Sequence, residues 1–160
     1  MTKREKIILD VLIKTRLEIL NIFIGDKNSD KYVSQRTRIA QSITKKWQGE
    51  VAKHDDFFNK NTLKIEDEVS KDNNEKIDLV DLKEKTAYEL KVSGKNCHHE
   101  FYKDLIKVIT YNLNPDGEKL KKLIFISEGF GIEKLKGRLD KKLIYEIKCK
   151  HDITIELISI

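Results

Sequence analysis

The stretch IDLVDLKEKTAYELKVS, residues 77–93, constrains the fold more than any other part of the chain. Two segments rich in apolar residues flank a charged Lys-Glu-Lys turn, which is the pattern of a β-hairpin. Three acids and a lysine nevertheless stand among the apolar residues: Asp78, Asp81, Glu89 and Lys91. The hairpin therefore carries either a solvated face or a functional site.

Strand periodicity decides which of these residues share a face. Side chains alternate along a strand, so Glu89 and Lys91 lie on one face. A hairpin loop of two or four residues predicts a register with Asp78 opposite Glu89, their Cβ atoms about 4.5–5.5 Å apart. Asp81 then faces Thr86, on the opposite side of the sheet from Glu89. A three-residue loop would break this pairing.

Two opposed carboxylates favour a bound cation, because otherwise they repel each other. Lys91 supplies some positive charge, and a divalent metal would supply more. Oxygen ligands suit Mg²⁺, which keeps several waters and binds phosphate oxygens. An ammonium beside such a site can stabilise the charge that develops on phosphorus. Spacing alone favours an ordinary exposed hairpin face, where Asp, Glu and Lys are common, and the metal site stays open as the alternative.

The remaining segments predict the element order α-α-β-β-β-α-β-α-β. Helices are expected over 4–24, from Ser34 to about Trp47, over about 98–112 and over about 131–149. Strands are expected over 63–70, 76–82, 85–92, 122–127 and 153–160. Short turns join the first three strands into an antiparallel meander, and helices lead to the later ones, as in parallel crossovers. We therefore expect an α/β fold with a mixed five-stranded sheet flanked by helices.

Composition narrows the setting in which such a chain works. The 160 residues are 39% hydrophobic and 37% charged, which predicts a single globular domain over 1–160. No apolar run approaches the length of a membrane span, of about 20 residues. Cys97 and Cys149 are too few for a disulfide framework and are expected to be reduced thiols. We expect a cytoplasmic protein without membrane association.

Charge is distributed unevenly along the sequence. Residues 34–49 contain four basic residues and no acid, and residues 131–150 contain seven basic residues against three acids. Between these segments, residues 50–81 contain ten acids against five lysines. An acidic centre flanked by basic segments indicates a polyanion held beside a cation site. Solvated helix faces explain the basic segments about as well.

The motif formed by IDLV and the following ELK, with Asp78 and residues 89–91, resembles the PD-(D/E)XK nuclease superfamily. This superfamily contains restriction endonucleases, Holliday-junction resolvases and related DNA-cleaving proteins. Its core is a helix, a three-stranded meander, a helix and a strand, and residues 34–127 fit that order. Residues 1–30 would form an N-terminal helix outside the core, and 131–160 a C-terminal helix and strand.

The resemblance implies a role for each motif residue. Asp78 and Glu89 would be metal ligands together with the backbone carbonyl of Leu90, and Lys91 would be the catalytic lysine. The implied cofactor is Mg²⁺, for which Mn²⁺ is expected to substitute. Many members also have an acid on the helix before the meander. The candidate positions here are Gln35 and Gln41, both uncharged, and Glu50 near the helix end.

The resemblance also implies DNA as the substrate. On the helix after the third strand, Lys103, Lys107 and Tyr111 recur at helical spacing and predict a basic stripe. The basic residues expected to contact DNA are Arg36, Arg38, Lys45, Lys46, Lys103 and Lys107. A solvated helix face explains any one of these lysines equally well.

These observations predict a Mg²⁺-dependent DNA endonuclease, most simply a type II restriction-type enzyme acting on duplex DNA. A homodimer is expected, because a twofold axis lets one small enzyme cut both strands. The alternatives are a Holliday-junction resolvase or repair nuclease, and a catalytically inactive module that binds DNA or a partner.

The histidines in CHH (97–99) lack zinc-site spacing, but His98 or His99 could lie near a phosphate.

Overall fold

Five strands form one mixed sheet in the computed structural model. In sheet order they are β1 (Leu63–Glu68), β2 (Lys76–Asp81), β3 (Thr86–Lys91), β4 (Lys122–Ser127) and β5 (Thr154–Ser159). The pairs β1–β2 and β2–β3 are antiparallel, whereas β3–β4 and β4–β5 are parallel. The predicted α/β class, with a five-stranded mixed sheet, is confirmed.

The structure describes the backbone of residues 1–24 and 29–160, and the side chains of residues 1–23 and 37–160. The chain divides into two compact units, Met1–Asn59 and Lys60–Ile160. The boundary between these units falls inside the segment 34–127 that the sequence predicts as a nuclease core. Within the described ranges, no helix is long and apolar enough to cross a membrane.

The described part of the first unit contains two helices, α1 (Lys3–Ile24) and α2 (Ser29–Ala52). They pack through apolar side chains, and the indole N–H of the buried Trp47 donates a hydrogen bond to the carbonyl of Ile8 at 2.9 Å. The helix predicted over 4–24 is confirmed. The predicted start of the second helix at Ser34 is wrong, because residue types favoured at helix starts also occur upstream and the helix begins there.

The second unit contains three helices around the sheet. They are α3 (Cys97–Tyr111), α4 (Gly129–Lys136) and α5 (Lys141–His151). The single helix predicted over 131–149 is wrong, because the chain is interrupted after α4. Gly137, a poor helix former, ends α4, and the Asp140 carboxylate accepts hydrogen bonds from two backbone N–H groups at the start of α5.

Helix α3 packs against the sheet face that carries the hairpin acids. Phe101 of α3 is buried in the same apolar cluster as Val80 and Ala87 of the hairpin. Because side chains alternate along each strand, Val80 and Ala87 share their face with Asp78 and Glu89. The apolar core therefore brings the polar side of α3 towards the two acids.

Candidate active site

The β2–β3 hairpin has the register that the sequence predicts. The described pairs are Leu79–Tyr88, Val80–Ala87 and Asp81–Thr86. The loop between the strands has four residues, 82–85, which is one of the two predicted lengths. The position of Asp81 beside Thr86 is confirmed. One further step in the same register would bring Asp78 opposite Glu89.

Asp78 lies at a gap in the sheet ladder. The described pairs of β1 with β2 pass over Asp78 and Glu66, and Glu66 has a left-handed φ of 49°. On the β3 side, Asp78 Oδ2 accepts a hydrogen bond from the backbone N–H of Leu90 at 2.8 Å. The side chain thus satisfies a backbone donor where the strands separate. This bond fixes the Asp78 carboxylate against β3 at Leu90, the residue that follows Glu89.

Glu89 is fully buried. Its Oε1 accepts a hydrogen bond from Lys107 Nζ at 3.0 Å, and its Oε2 lies 3.7 Å from Lys91 Nζ. Among the described residues, Oε2 has no hydrogen-bond partner. A buried carboxylate oxygen without a donor is energetically costly. Oε2 therefore marks a position where an added cation would be stabilised.

Asp104 of α3 connects the two lysines of the site. Its buried carboxylate places Oδ2 at 3.2 Å from Lys91 Nζ and Oδ1 at 2.8 Å from Lys107 Nζ. Glu100, one turn earlier, lies 3.7 Å from Lys91 Nζ. Residues at i, i+4 and i+7 share one helix face, so α3 presents Glu100, Asp104 and Lys107 to the hairpin. The site combines two ammonium groups with a larger number of carboxylates.

Burial controls the protonation of the two hairpin acids. It raises the pKa of Glu89 to about 8, and the neighbouring charges of Asp78 and Asp104 act in the same direction. Burial also raises the pKa of Asp78, although the N–H of Leu90 and the charge of Lys91 oppose it. Glu89 therefore holds a proton at neutral pH unless a further cation compensates its charge.

Both lysines remain protonated. Burial alone would lower the pKa of Lys91, but the charges of Asp104, Glu89 and Asp78 outweigh it, and the pKa is raised. Lys107 behaves in the same way, because Glu89 and Asp104 outweigh burial and raise its pKa. An ammonium with a raised pKa is a poor general base. Lys91 is therefore suited to act as a fixed positive charge and a hydrogen-bond donor.

Sequence reasoning misses Asp104 and misplaces Lys107. The predicted stripe of Lys103, Lys107 and Tyr111 assumes that all three face solvent. Lys107 is instead buried, and the Tyr111 hydroxyl donates a hydrogen bond to Asp67 Oδ2 of β1 at 3.0 Å. Lys103 is exposed. The available signal was the acid and lysine at i, i+3 on the helix that follows the Glu-Leu-Lys motif.

The helix positions considered for a further site acid belong to α2 in the first unit. Glu50 forms an ion pair with Lys53 at 2.7 Å. Gln41 is exposed. The side chain of Gln35 lies outside the described residues. A role of these residues in the site stays a prediction.

The basic residues predicted on α2 also lie in the first unit. Arg38 and Lys45 are exposed, whereas Lys46 forms an ion pair with Glu18 at 2.7 Å. The side chain of Arg36 lies outside the described residues. A role in DNA binding stays a prediction for all four.

The donor set for a metal is small. In the described part of the chain, no group of three or more His, Cys, Asp or Glu side chains is arranged to hold a metal ion. Asp78 and Glu89, with the carbonyl of Leu90, form a smaller set that consists of oxygen donors. Mg²⁺ is commonly bound through only one or two carboxylates, with water and substrate oxygens completing its coordination.

Comparisons of the chain with protein-family models, curated proteins and solved structures give no match. The inference of function therefore depends on the geometry and chemistry of the site.

Proposed function

We propose that the chain is a Mg²⁺-dependent DNA endonuclease of the PD-(D/E)XK type, and specifically a restriction-type enzyme that hydrolyses phosphodiester bonds in duplex DNA. The observation that carries the proposal is Glu89 Oε2, a buried carboxylate oxygen that accepts no hydrogen bond from any described residue. It lies 3.7 Å from Lys91 Nζ and on the same sheet face as Asp78. The element order from α2 through the meander and α3 to β4 gives further support, because a restriction-endonuclease-like core has this order.

The hairpin residues fit a bound Mg²⁺. The carboxylates of Asp78 and Glu89 and the carbonyl of Leu90 would hold it, and Mn²⁺ would substitute because it also accepts oxygen ligands. The raised pKa of Glu89 supports this fit, since it reflects a buried site that is short of positive charge. A bound Mg²⁺ would provide a coordinated water of lowered pKa and neutralise part of the phosphate charge.

The protein's own residues provide the remaining electrostatics. The side chain of Lys91 is 22% exposed, and its ion pairs with Glu89 and Asp104 fix the position of its ammonium. From there it can donate a hydrogen bond to a phosphate oxygen on which negative charge increases during cleavage. Asp104 is a positioning residue, because it holds Lys91 and Lys107 at once.

A homodimer is part of the proposal. Two active sites related by a twofold axis can cut both strands of a duplex. Helix α1 supports this arrangement, because Ile13 and Leu17, one turn apart, are 49% and 54% exposed. Apolar residues that recur on one exposed helix face are candidates for a subunit contact.

A second candidate is a catalytically inactive module of the same fold that binds DNA or a partner protein. One observation favours it: the ammonium of Lys107 lies 3.0 Å from Glu89 Oε1 and already compensates part of the acid's charge. In such a module Lys107 would take the electrostatic role of a metal ion.

The test is a cleavage assay with Mg²⁺ on plasmid DNA, linear duplex and a four-way junction. Wild type is compared with Glu89→Gln and with the control Glu75→Gln, an acid that pairs with Lys103 outside the cluster. Discrete duplex fragments from wild type and the control alone support a restriction-type enzyme. Preference for the junction indicates a resolvase. DNA binding without cleavage indicates the inactive module, and the absence of both overturns the proposal.

A further inference from the structure

A cavity of about 360 Å³ lies beyond the candidate active site, between the β3–α3 loop, the first turn of α3 and helix α4. Ligand pockets in proteins typically have volumes of roughly 300–1,000 Å³. The cavity is lined chiefly by basic and aromatic side chains, among them Lys95, His98, His99, Phe130, Lys134 and Arg138. The hairpin-site residues Asp78, Glu89 and Lys91 are not among its described lining residues.

The charge of this cavity is one-sided. Lys95, Lys134 and Arg138 carry permanent positive charges, and no Asp or Glu is among the lining residues that the structure describes. None of the three forms an ion pair with another described residue, whereas Lys136 of α4 pairs with Glu133 at 3.2 Å. Three uncompensated cations around one cavity favour an anionic ligand.

One described carboxylate, Glu128, contacts the loop beside the cavity through a backbone N–H group. Glu128 Oε2 accepts a hydrogen bond from the N–H of Gly94 at 3.4 Å, but Glu128 is not a lining residue. This contact fixes the loop and does not neutralise the lysine and arginine side chains. The cavity therefore keeps its positive charge.

Phe130 gives the cavity a flat apolar surface. Its ring is half exposed, and Lys134 Nζ lies 5.8 Å from the ring centroid. The ring contacts Gly94 so closely that a Cβ atom at this glycine would lie 2.7 Å from the ring. An exposed ring held in place beside cations is suited to stack on a nucleic-acid base while the cations hold a phosphate.

Two glycines fix the shape of the cavity. A Cβ atom at Gly131 would lie 2.7 Å from the Cα of Gly94, so any larger residue would force the β3–α3 loop away from α4. The close backbone contact keeps the cationic side chains of both segments around one space. The cavity is therefore formed before a ligand binds.

The cavity is also close to the hairpin site along the chain. Lys95 follows Lys91 by four residues, and four residues span at most about 14 Å. Successive nucleotides of one DNA strand are about 3.4 Å apart along the helix axis. A strand cleaved beside Lys91 could therefore place a nucleotide in the cavity within about four positions of the cleaved bond.

We propose that this cavity binds one nucleotide of a nucleic-acid strand, with the phosphate held by Lys95, Lys134 and Arg138 and the base stacked on Phe130. The inference rests on the proposed function in one respect, namely that the bound strand is the DNA cleaved at the hairpin site. The chemistry recognised is a phosphate joined to an aromatic base.

The test compares two triple variants that make the same change in charge. Lys95→Gln, Lys134→Gln and Arg138→Gln remove the cavity cations, and a control removes Lys136, Lys141 and Lys142, which are exposed and do not line the cavity. Binding of a labelled 12-nucleotide single strand and of the matching duplex is measured by fluorescence anisotropy with Ca²⁺. The cavity variant is expected to weaken single-strand binding by at least about tenfold more than the control does.

Two single variants test stacking without changing charge. Phe130→Leu is expected to weaken single-strand binding by roughly five- to hundredfold, and Phe130→Tyr is expected to keep it, because only the second retains a ring. Circular dichroism verifies that each variant is folded. If the triple variant does not fold, the Phe130 pair decides.

Each outcome separates this inference from the proposed function. The inference is overturned if the cavity variant and the charge control lose the same amount of single-strand binding and both Phe130 variants bind equally well. This holds even if the wild type cleaves DNA. Cavity-dependent binding without cleavage by the wild type supports the inference and overturns the proposed function. A free deoxynucleoside monophosphate is titrated in parallel and followed by NMR shifts of the β3–α3 loop. If the monophosphate binds less well to the cavity variant but the single strand does not, the ligand is a free nucleotide and the proposal of a nucleic-acid strand is wrong.

Discussion

The two ends of the β2–β3 hairpin each carry an aspartate, and they use it in opposite ways. At the turn end, the buried Asp81 accepts hydrogen bonds from the backbone N–H groups of Lys83 and Glu84 at 3.1 and 3.3 Å. At the open end, Asp78 accepts a hydrogen bond across the strands from the backbone N–H of Leu90 at 2.8 Å. The Asp81 carboxylate stabilises a local turn, and the Asp78 carboxylate bridges β2 and β3 where the strands separate.

The comparison shows that residue type alone does not define a site acid. Both aspartates lie on β2, three residues apart, and the odd spacing puts them on opposite faces. Asp81 is used by its own turn, a common role of Asp in short loops. Asp78 shares its face with Glu89, whose Oε2 lacks a hydrogen bond among the described residues. Opposed carboxylates with an unsatisfied oxygen identify the open end as the candidate site.

The largest expected effect is on cleavage by Asp78→Asn. Asparagine can still accept the hydrogen bond from Leu90, but it lacks the negative charge needed to bind a divalent cation. Cleavage of plasmid DNA is expected to fall at least about a hundredfold with the fold intact. The matched change at the turn end, Asp81→Asn, is expected to retain most activity. Loss of activity in Asp81→Asn alone would reverse the assignment of the two ends.

Lys91→Gln tests the cation of the open end. Cleavage is expected to decrease by roughly ten- to a hundredfold, because a positioned donor to the phosphate is lost. DNA binding measured with Ca²⁺ is expected to change little, since one lysine is a small part of the total phosphate contact. Lys103→Gln, which removes an exposed lysine of α3 that pairs with Glu75, is the control for charge. Equal effects of both variants on cleavage would contradict a specific role for Lys91.

The open end should also make stability depend on pH. The pKa of Glu89 is raised from 4.5 to about 8, so the folded state keeps a proton that the unfolded state has lost in this range. Its contribution to stability therefore decreases as pH rises from about 5 to 8. Glu89→Gln is expected to remove part of this decrease. The difference in unfolding free energy between the variant and wild type should therefore be more favourable to the variant at pH 8 than at pH 5, by about 2 kcal/mol.

Urea unfolding in EDTA at pH 5, 6.5 and 8 measures this effect without bound metal. Glu66→Gln is the control, because Glu66 is exposed. The same pH dependence in wild type and Glu89→Gln would show that burial of Glu89 does not destabilise the charged form.

The parts of the hairpin that depend on local rules could be predicted from the sequence. Turn length and strand alternation determine the register, so the pairing of Asp81 with Thr86 followed from the sequence. The position of Lys107 could not be obtained in this way. It depends on how α3 is rotated about its axis, and packing of Phe101 in the apolar cluster determines that rotation. Asp104 was missed for the same reason.

Elsewhere, local signals were present but pointed in two directions. The helix break was readable from Gly137 and Asp140, yet the apolar spacing on either side also suits one continuous helix. Residues with N-cap preference recur before α2, so the sequence could not decide which one starts the helix. Competing local signals of this kind are resolved by tertiary packing.

The smallest expected effect concerns the turn end. Asp81→Ala removes the acceptor for two backbone N–H groups of the turn, and it is expected to lower the unfolding free energy by about 1–2 kcal/mol. Asp81→Asn keeps an oxygen at the same position and is expected to cost less than half as much. Urea unfolding at pH 7 measures both variants, and cleavage of both is expected to stay within about threefold of wild type, because neither changes the face that carries Glu89. Equal destabilisation by Ala and Asn would mean that the charge of Asp81, rather than its hydrogen bonds, stabilises the turn. The two aspartates would then differ in burial and not in the backbone groups that they bind.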